Sequence, residues 1–178
     1  MIDKQQFDNT FQYFNPKDTI EIIDLFLEQY PEQISLLAQN IEDNDLVQVK
    51  WNAHKLKGIC SQFFDAVSAD NARKLEDTSK RKIFEIIDIM LHDFPGPLDK
   101  LNLEFNESQT YLEIVKVHSI DNFIAGLTGP LSDENTLKLR NLLTVKIAEG
   151  IPQIFSDLKI SSGLLIEELK AIQKELSH

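Results

Sequence analysis

The sequence has a single cysteine, Cys60, among 178 residues, so an internal disulfide is excluded. A chain without disulfides is typical of proteins from reducing compartments. No apolar run approaches the roughly 18 residues of a membrane-spanning helix. The first residues also lack the charged and then apolar pattern of a secretory signal. We therefore expect a soluble, cytoplasmic protein that neither crosses nor binds a membrane.

Positive charge is scarce, with 18 lysines and arginines against 29 acidic residues and a net charge of −11. This excess of negative charge argues against nucleic acid and anionic membrane as partners. Residues 45–82 differ from the rest, because they contain eight basic and five acidic side chains. This basic stretch is compatible with a site for an acidic or phosphoryl group, and equally with ordinary solvated helix faces.

Glycine is rare, with six residues, and neither alternating β-branched runs nor hairpin signals occur. Helical periodicity dominates instead, which predicts an all-α protein. We expect an up-and-down antiparallel four-helix bundle with a short first helix that ends near residue 15. Long helices are expected to open near residues 18, 46, 66 and 81, with the last reaching about 107. Pro31 is expected to bend or divide the first long helix.

The pattern changes after Ser108, which predicts a bundle domain over residues 1–108 and a helical C-terminal extension over 109–178. The extension ends in an amphipathic helix whose predicted inward residues include Leu164, Leu165 and Leu169. It contains no second copy of the histidine motif described below. We expect its helices either to pack on the bundle or to form a homodimer contact.

His54 lies on a helix whose two sides differ in character. One side is apolar and predicted to face the core: Leu46, Val49, Ala53, Leu56, Cys60 and Phe63. The other carries Lys50, His54, Lys57, Gly58 and Ser61, because residues three and four apart share a helix face. His54 should therefore stand at the rim of the core, where its imidazole meets water.

This polar side could support phosphoryl transfer. A histidine with its ordinary pKa of roughly 6.5 provides a neutral nucleophile near pH 7. Lys57, one turn away, could stabilise the charged phosphoryl oxygens, and Gly58 would leave room for a partner protein. Two plainer interpretations remain open at this point: Gly58 could permit close helix packing, and Lys57 could be an ordinary surface residue. No metal site is expected, because no His, Cys, Asp or Glu stands three or four positions from His54.

The string Ala53-His54-Lys55-Leu56-Lys57-Gly58 resembles the hallmark of histidine-containing phosphotransfer (Hpt) domains, His-x-Leu-Lys-Gly on the second long helix of a four-helix bundle. The likeness extends over about residues 1–108. Further matching positions are Leu25-Phe26-Leu27, Pro31, Leu36, Asp45-Leu46, Ala69, Ala72 and Leu75-Glu76. Phe64 departs from the pattern, since the family commonly has glycine there.

The resemblance implies that His54 accepts a phosphoryl group from the aspartyl phosphate of a receiver domain and passes it to another receiver. Lys57 would then support the phosphoryl oxygens, and Gly58 would give the receiver access. On the next helix Arg73, Glu76 and Lys80 share a face, where Glu76 would orient the imidazole and Lys80 would add positive charge.

The resemblance also implies which partners to expect, namely response-regulator receivers and hybrid sensor kinases. No cofactor is expected, since magnesium would belong to the receiver. The protein would be a phosphoryl carrier without kinase activity of its own. A non-catalytic helical adaptor that binds a receiver or kinase is the alternative, and an inaccessible His54 would favour it.

Overall fold

The computed structural model describes residues 1–93, 141, 145 and 149–177, with the backbone alone for residues 86–93. All regular secondary structure in these ranges is helical, which confirms the predicted all-α class. The helices are α1 (Lys4–Phe11), α2 (Pro16–Glu42), α3 (Leu46–Gln62), α4 (Ala66–Asp93) and α5 (Ile151–Leu176). Within the described residues, no helix is long and apolar enough to span a membrane.

Helix α2 begins slightly earlier than predicted and is not divided. Asn15 caps it by accepting a hydrogen bond from the Lys17 amide at 3.0 Å, and Pro16 follows at a position where no amide hydrogen is required. Pro31 lies inside the continuous helix, so of the two effects predicted for it, bending or division, division does not occur. Tyr30 and Leu37, on either side of the proline, are both buried. Their burial holds both halves of α2 on one core despite the hydrogen bond that proline removes.

The predicted turn before α3 is confirmed. Asn44 adopts a left-handed conformation with φ of 58°, which asparagine tolerates better than most residues. The Asp45 carboxylate then accepts a hydrogen bond from the Gln48 amide at 3.0 Å. This contact satisfies one of the amides that every helix start leaves unpaired.

Helix α4 replaces two helices expected from the sequence. The break predicted between Thr78 and Arg81 does not occur, because that stretch contains neither glycine nor proline. The Ser79 hydroxyl donates to the Leu75 carbonyl at 2.8 Å and stays within the helix. The part of the expected helix beyond residue 93, and the predicted domain boundary at 108, lie outside the described residues.

The fourth long helix of the bundle is α5, from the far end of the chain. It packs against α2 and α4, which in turn pack against α3. Asp24 near the start of α2 bonds Gln173 near the end of α5 at 2.5 Å. Further along α2, Tyr30 bonds Ser162, so α2 and α5 run antiparallel.

One core joins the bundle and the last helix. Of the two roles expected for the C-terminal extension, α5 adopts packing on the bundle. Leu164 is an exception to the predicted inward residues, because it is 56 % exposed, whereas Leu165 and Leu169 are fully buried. The buried apolar side chains of α5 are Ile151, Leu158, Leu165 and Leu169.

Phe64 joins α3 to α4 in an unfavourable backbone conformation. Its φ is +57°, which costs an L-residue about 1–2 kcal/mol and costs glycine almost nothing. The Phe64 amide bonds the Ser61 carbonyl at 3.1 Å, and the Asp65 amide bonds the Cys60 carbonyl at 3.1 Å. These are the contacts of a helix end that normally favours glycine. The Phe64 ring packs against the core, which offsets part of the backbone cost.

This conformation predicts an inverted order of stability for two substitutions. Phe64→Gly should be more stable than Phe64→Ala by about 1 kcal/mol, because both lose the ring but only alanine keeps the backbone strain. Urea unfolding of the two variants measures the difference. At Lys55, an exposed residue in the middle of α3, the same two substitutions should show the usual order, with alanine more stable than glycine. An alanine advantage at Phe64 as well would contradict the strain.

Candidate functional site

Helix α3 presents its apolar side to the core and His54 to solvent. Leu46, Val49, Ala53 and Cys60 have no exposed surface, and Leu56 and Phe63 are 1 % exposed. The His54 side chain on the other side is 54 % exposed. The predicted division of α3 into two sides is therefore confirmed, and the imidazole is open to a partner molecule.

Glu76 reaches the histidine from α4. Its Oε1 lies 2.8 Å from His54 Nδ1, and its Oε2 lies 2.6 Å from Lys57 Nζ. Leu75, the residue before Glu76, is fully buried, so the packing of α4 on α3 places the carboxylate. Two residues of α3 thus share one carboxylate of α4.

His54, Lys57 and Glu76 form a trio of interacting side chains. Their electrostatics determine which nitrogen of His54 carries hydrogen. Burial opposes ionisation of Glu76, but hydrogen bonds from Lys57 and His54 and their charges outweigh it, so the pKa of Glu76 lies below its ordinary value. The carboxylate is therefore ionised at neutral pH and can only accept hydrogen bonds. Its contact with Nδ1 requires the proton to be on Nδ1, which leaves the Nε2 lone pair available.

Lys57 forms an ion pair with Glu76 and is not an ordinary surface residue. Its side chain is 30 % exposed, and its Nζ lies 3.4 Å from His54 Nδ1. Because Nδ1 carries hydrogen, this longer approach is a contact between two donors that share the Glu76 carboxylate. The ammonium group is thereby held within one helical turn of the imidazole.

Gly58 lies on the exposed side of α3. A Cβ atom built on Gly58 would meet no heavy atom within 4 Å. Close packing of another described helix therefore does not explain this glycine, although a glycine inside a helix costs about 1 kcal/mol relative to alanine. The open space lies one turn beyond His54 on the same helix.

Trp51 is a neighbour of His54 that the sequence interpretation did not single out. Its ring lies 6.4 Å from the imidazole centroid at an interplanar angle of 78°, and it is 41 % exposed. Lys50 Nζ lies 4.4 Å from the Trp51 ring centroid, a cation–π contact. Trp51 stands three residues before His54, and that spacing places two side chains on one helix face. The sequence therefore contained a signal that could have identified Trp51.

Arg73 and Lys80, the other two residues of α4 predicted to lie near the site, make no described contact with the imidazole. Arg73 pairs with Asp70 at 2.5 Å and Asp77 at 3.3 Å, both on its own helix. Lys80 is exposed, and its charge acts on Lys50. Burial, together with repulsion from Lys80, lowers the pKa of Lys50, whereas attraction to Glu76 opposes this.

Neither metal binding nor thiol chemistry is indicated in the described part of the chain. There, no group of three or more His, Cys, Asp or Glu side chains is arranged to hold a metal ion. Cys60 is buried, as predicted. Burial raises the pKa of its thiol to about 12, so the reactive thiolate is suppressed.

A comparison with protein families identifies the domain around this site. Residues 21–82 match the model of the Hpt domain. This part of the chain is therefore similar to an Hpt domain. Proteins with this domain take part in histidine phosphotransfer within phosphorelays. Searches of curated proteins and of solved structures gave no significant match.

The Hpt match includes all of α3 and the part of α4 that carries Glu76. It therefore covers every residue of the trio described above. Helix α5 lies outside the matched residues, although its apolar side chains belong to the same core. Of the four long helices in the described part of the chain, the Hpt match thus includes all of α3 and most of α2 and α4.

The contact between Glu76 and His54 predicts the form of the neutral imidazole. At a pH where the ring is neutral, nitrogen-15 NMR should find hydrogen on Nδ1 and a bare Nε2 in the unaltered protein. Glu76→Ala should shift the ring towards hydrogen on Nε2, the form that predominates when nothing accepts from Nδ1. Asp77→Ala, on the exposed side of α4, is the matched control and should leave the spectrum unchanged. A bare Nδ1 in the unaltered protein would contradict the assignment.

Proposed function

We propose that this protein is a phosphoryl carrier of a multistep phosphorelay, with His54 as the residue that is phosphorylated. His54 accepts the group from the aspartyl phosphate of a receiver domain and passes it to the aspartate of another receiver. The observation that carries the proposal is the combination of an exposed imidazole with an Nδ1 held by Glu76 at 2.8 Å. That combination leaves Nε2 as the nucleophile.

This geometry supports the following transfer step. The Nε2 lone pair forms a bond to phosphorus, while the bond between phosphorus and the aspartyl oxygen breaks. The electron pair of the broken bond leaves with the aspartate carboxylate. Nδ1 keeps its hydrogen throughout, so the phosphorylated ring carries a positive charge. Glu76 stabilises that charge, as an acidic partner does for other catalytic imidazoles.

Lys57 and Gly58 act on the incoming group in different ways. The Lys57 ammonium lies within a helical turn of His54 and attracts the phosphoryl oxygens. Glu76 holds it in place through the 2.6 Å ion pair. Gly58 has no side chain, and the open space beside it admits the surface of the receiver. Lys80, with Lys50, adds positive charge to the same side of the bundle.

The proposed partners are response-regulator receivers and the hybrid sensor kinases that contain them. In this role the protein carries the group without kinase activity of its own, and it works in the cytoplasm. The 54 % exposure of the His54 side chain supports phosphotransfer over the adaptor alternative. An adaptor would have no use for an accessible nucleophile.

His54→Gln tests the proposed function directly. The variant should take up no phosphoryl group when incubated with a phosphorylated receiver, because the amide nitrogen of glutamine is not a nucleophile. Phosphate-affinity electrophoresis or phosphorus-31 NMR measures the uptake. His92→Gln, which changes another histidine of the chain, is the matched control and should be labelled like the unaltered protein. Equal labelling of the His54 variant would refute the proposal.

Gly58→Gln should separate access from reactivity. Glutamine fills the open space and favours the helix by several tenths of a kcal/mol or more over glycine, so the thermal midpoint should rise. Transfer from a phosphorylated receiver should fall about tenfold or more, since a misplaced approach is costly in such a step.

A small phosphodonor provides the control for the Gly58 variant. Phosphoramidate needs no docking surface, so it should phosphorylate Gly58→Gln and the unaltered protein at similar rates. Gly58→Ala, with the smallest side chain, should lie between the two in transfer from the receiver. Unimpaired receiver transfer in the glutamine variant would mean that Gly58 provides no docking clearance.

A further inference from the structure

Helix α5 has an outward side that is partly apolar. Ile160 is 64 % exposed, on the side of α5 opposite its buried residues, and Leu164 is 56 % exposed on the flank of that side. Gly163 stands between them, and a Cβ built on it would meet no heavy atom within 4 Å. Two large exposed aliphatic side chains beside an open glycine form a surface to which another helix could pack closely. We call the exposed side of α5 around Gly163 the α5 face.

The charges on either side of Gly163 identify what would fit this surface. Lys159 precedes Gly163 by four positions, and Glu167 follows it by four. All three are at least partly exposed. If a second α5 helix packs antiparallel with the symmetry axis at Gly163, Lys159 of each copy comes opposite Glu167 of the other. The arrangement contains this pair twice, as a twofold contact requires.

The charges on either side of Gly163 also distinguish parallel from antiparallel pairing. Within one copy Glu167 pairs with Lys170 at 3.0 Å, so Lys159 of the other copy would join an existing ion pair. A parallel pairing in register would place each of these charges beside its own like charge. The positions of Lys159 and Glu167 thus favour the antiparallel orientation.

The same alignment also places the exposed apolar side chains of α5 next to the partner helix. Ile160 precedes Gly163 by three positions and shares its helix face, so it packs beside the open backbone of Gly163 in the other copy. Leu164, next to Gly163 in sequence, lies about 100° around the helix and covers the flank of this contact. Knob-and-hole packing of this kind is the usual way in which two helices approach closely.

We propose that the α5 face is a self-association surface, on which two copies of this chain pair antiparallel about Gly163. The proposal does not depend on phosphotransfer, and it gives the expected homodimer contact a defined place. The apolar area is small compared with the ~800 Å² per partner of a standard interface. The dimer is therefore weak and forms at high protein concentration.

Sedimentation velocity of the full chain over about 5–500 µM tests the proposal. The unaltered protein should shift from monomer towards dimer within this range. Gly163→Gln should remain monomeric throughout, because the added side chain blocks the close approach. The same change should raise the thermal midpoint, since glutamine is a better helix former than glycine. Loss of association therefore cannot be attributed to unfolding.

Charge reversal tests the register. Lys159→Glu should weaken association about tenfold, because two attractive pairs become repulsive. Adding Glu167→Lys should restore it, since the paired charges are then exchanged. Lys55→Glu makes the same change on α3, away from the α5 face, and is the matched control that should leave association unaltered.

Three outcomes would overturn the proposal. The first is an unaltered protein that stays monomeric over the whole range, which would mean that another segment or partner covers the α5 face. The second is a Gly163→Gln variant that still associates. The third is a double variant at Lys159 and Glu167 that associates no better than Lys159→Glu, which would exclude this register.

Discussion

The packing of α3 against α4 is the constraint on which the site depends. The buried side of α3 fixes the rotation of that helix, and Leu75 fixes the rotation of α4. With both helices held, the carboxylate of Glu76 meets His54 at 2.8 Å and Lys57 at 2.6 Å. The imidazole therefore obtains its hydrogen-bond partner from a different helix. Its orientation is a consequence of tertiary packing, whereas its identity and exposure belong to α3 alone.

Helix α5 completes the core in which α3 and α4 are held. Its buried residues Leu158, Leu165 and Leu169 share that core with residues of α2, α3 and α4. Tyr30 and Ser162 add a buried hydrogen bond between α2 and α5. Without α5, the sides of α2 and α4 that face it would lose their apolar partners. The site is thus supported by a helix that begins nearly seventy residues after the end of the Hpt match.

Phe64 illustrates a conflict between backbone and side chain. The turn from α3 to α4 requires a left-handed residue, and φ of +57° at this position is a conformation that glycine adopts at the least cost. Phenylalanine accepts the strained backbone and packs its ring on the core. The end of α3 therefore has the ordinary hydrogen bonds of a helix terminus. Phe64 makes it at a higher conformational cost than glycine would.

The sequence by itself determined the helical class, the two sides of α3 and the exposure of His54. These properties follow from the spacing of apolar residues within one helix, which is a local signal. Proximity across helices is different, because Arg73, Glu76 and Lys80 share a face and spacing alone ranked none of them above the others. Only the packing of α4 on α3 selected Glu76. The fourth helix of the bundle was likewise decided by tertiary structure, since an amphipathic pattern states that a helix needs a partner without stating which helix supplies it.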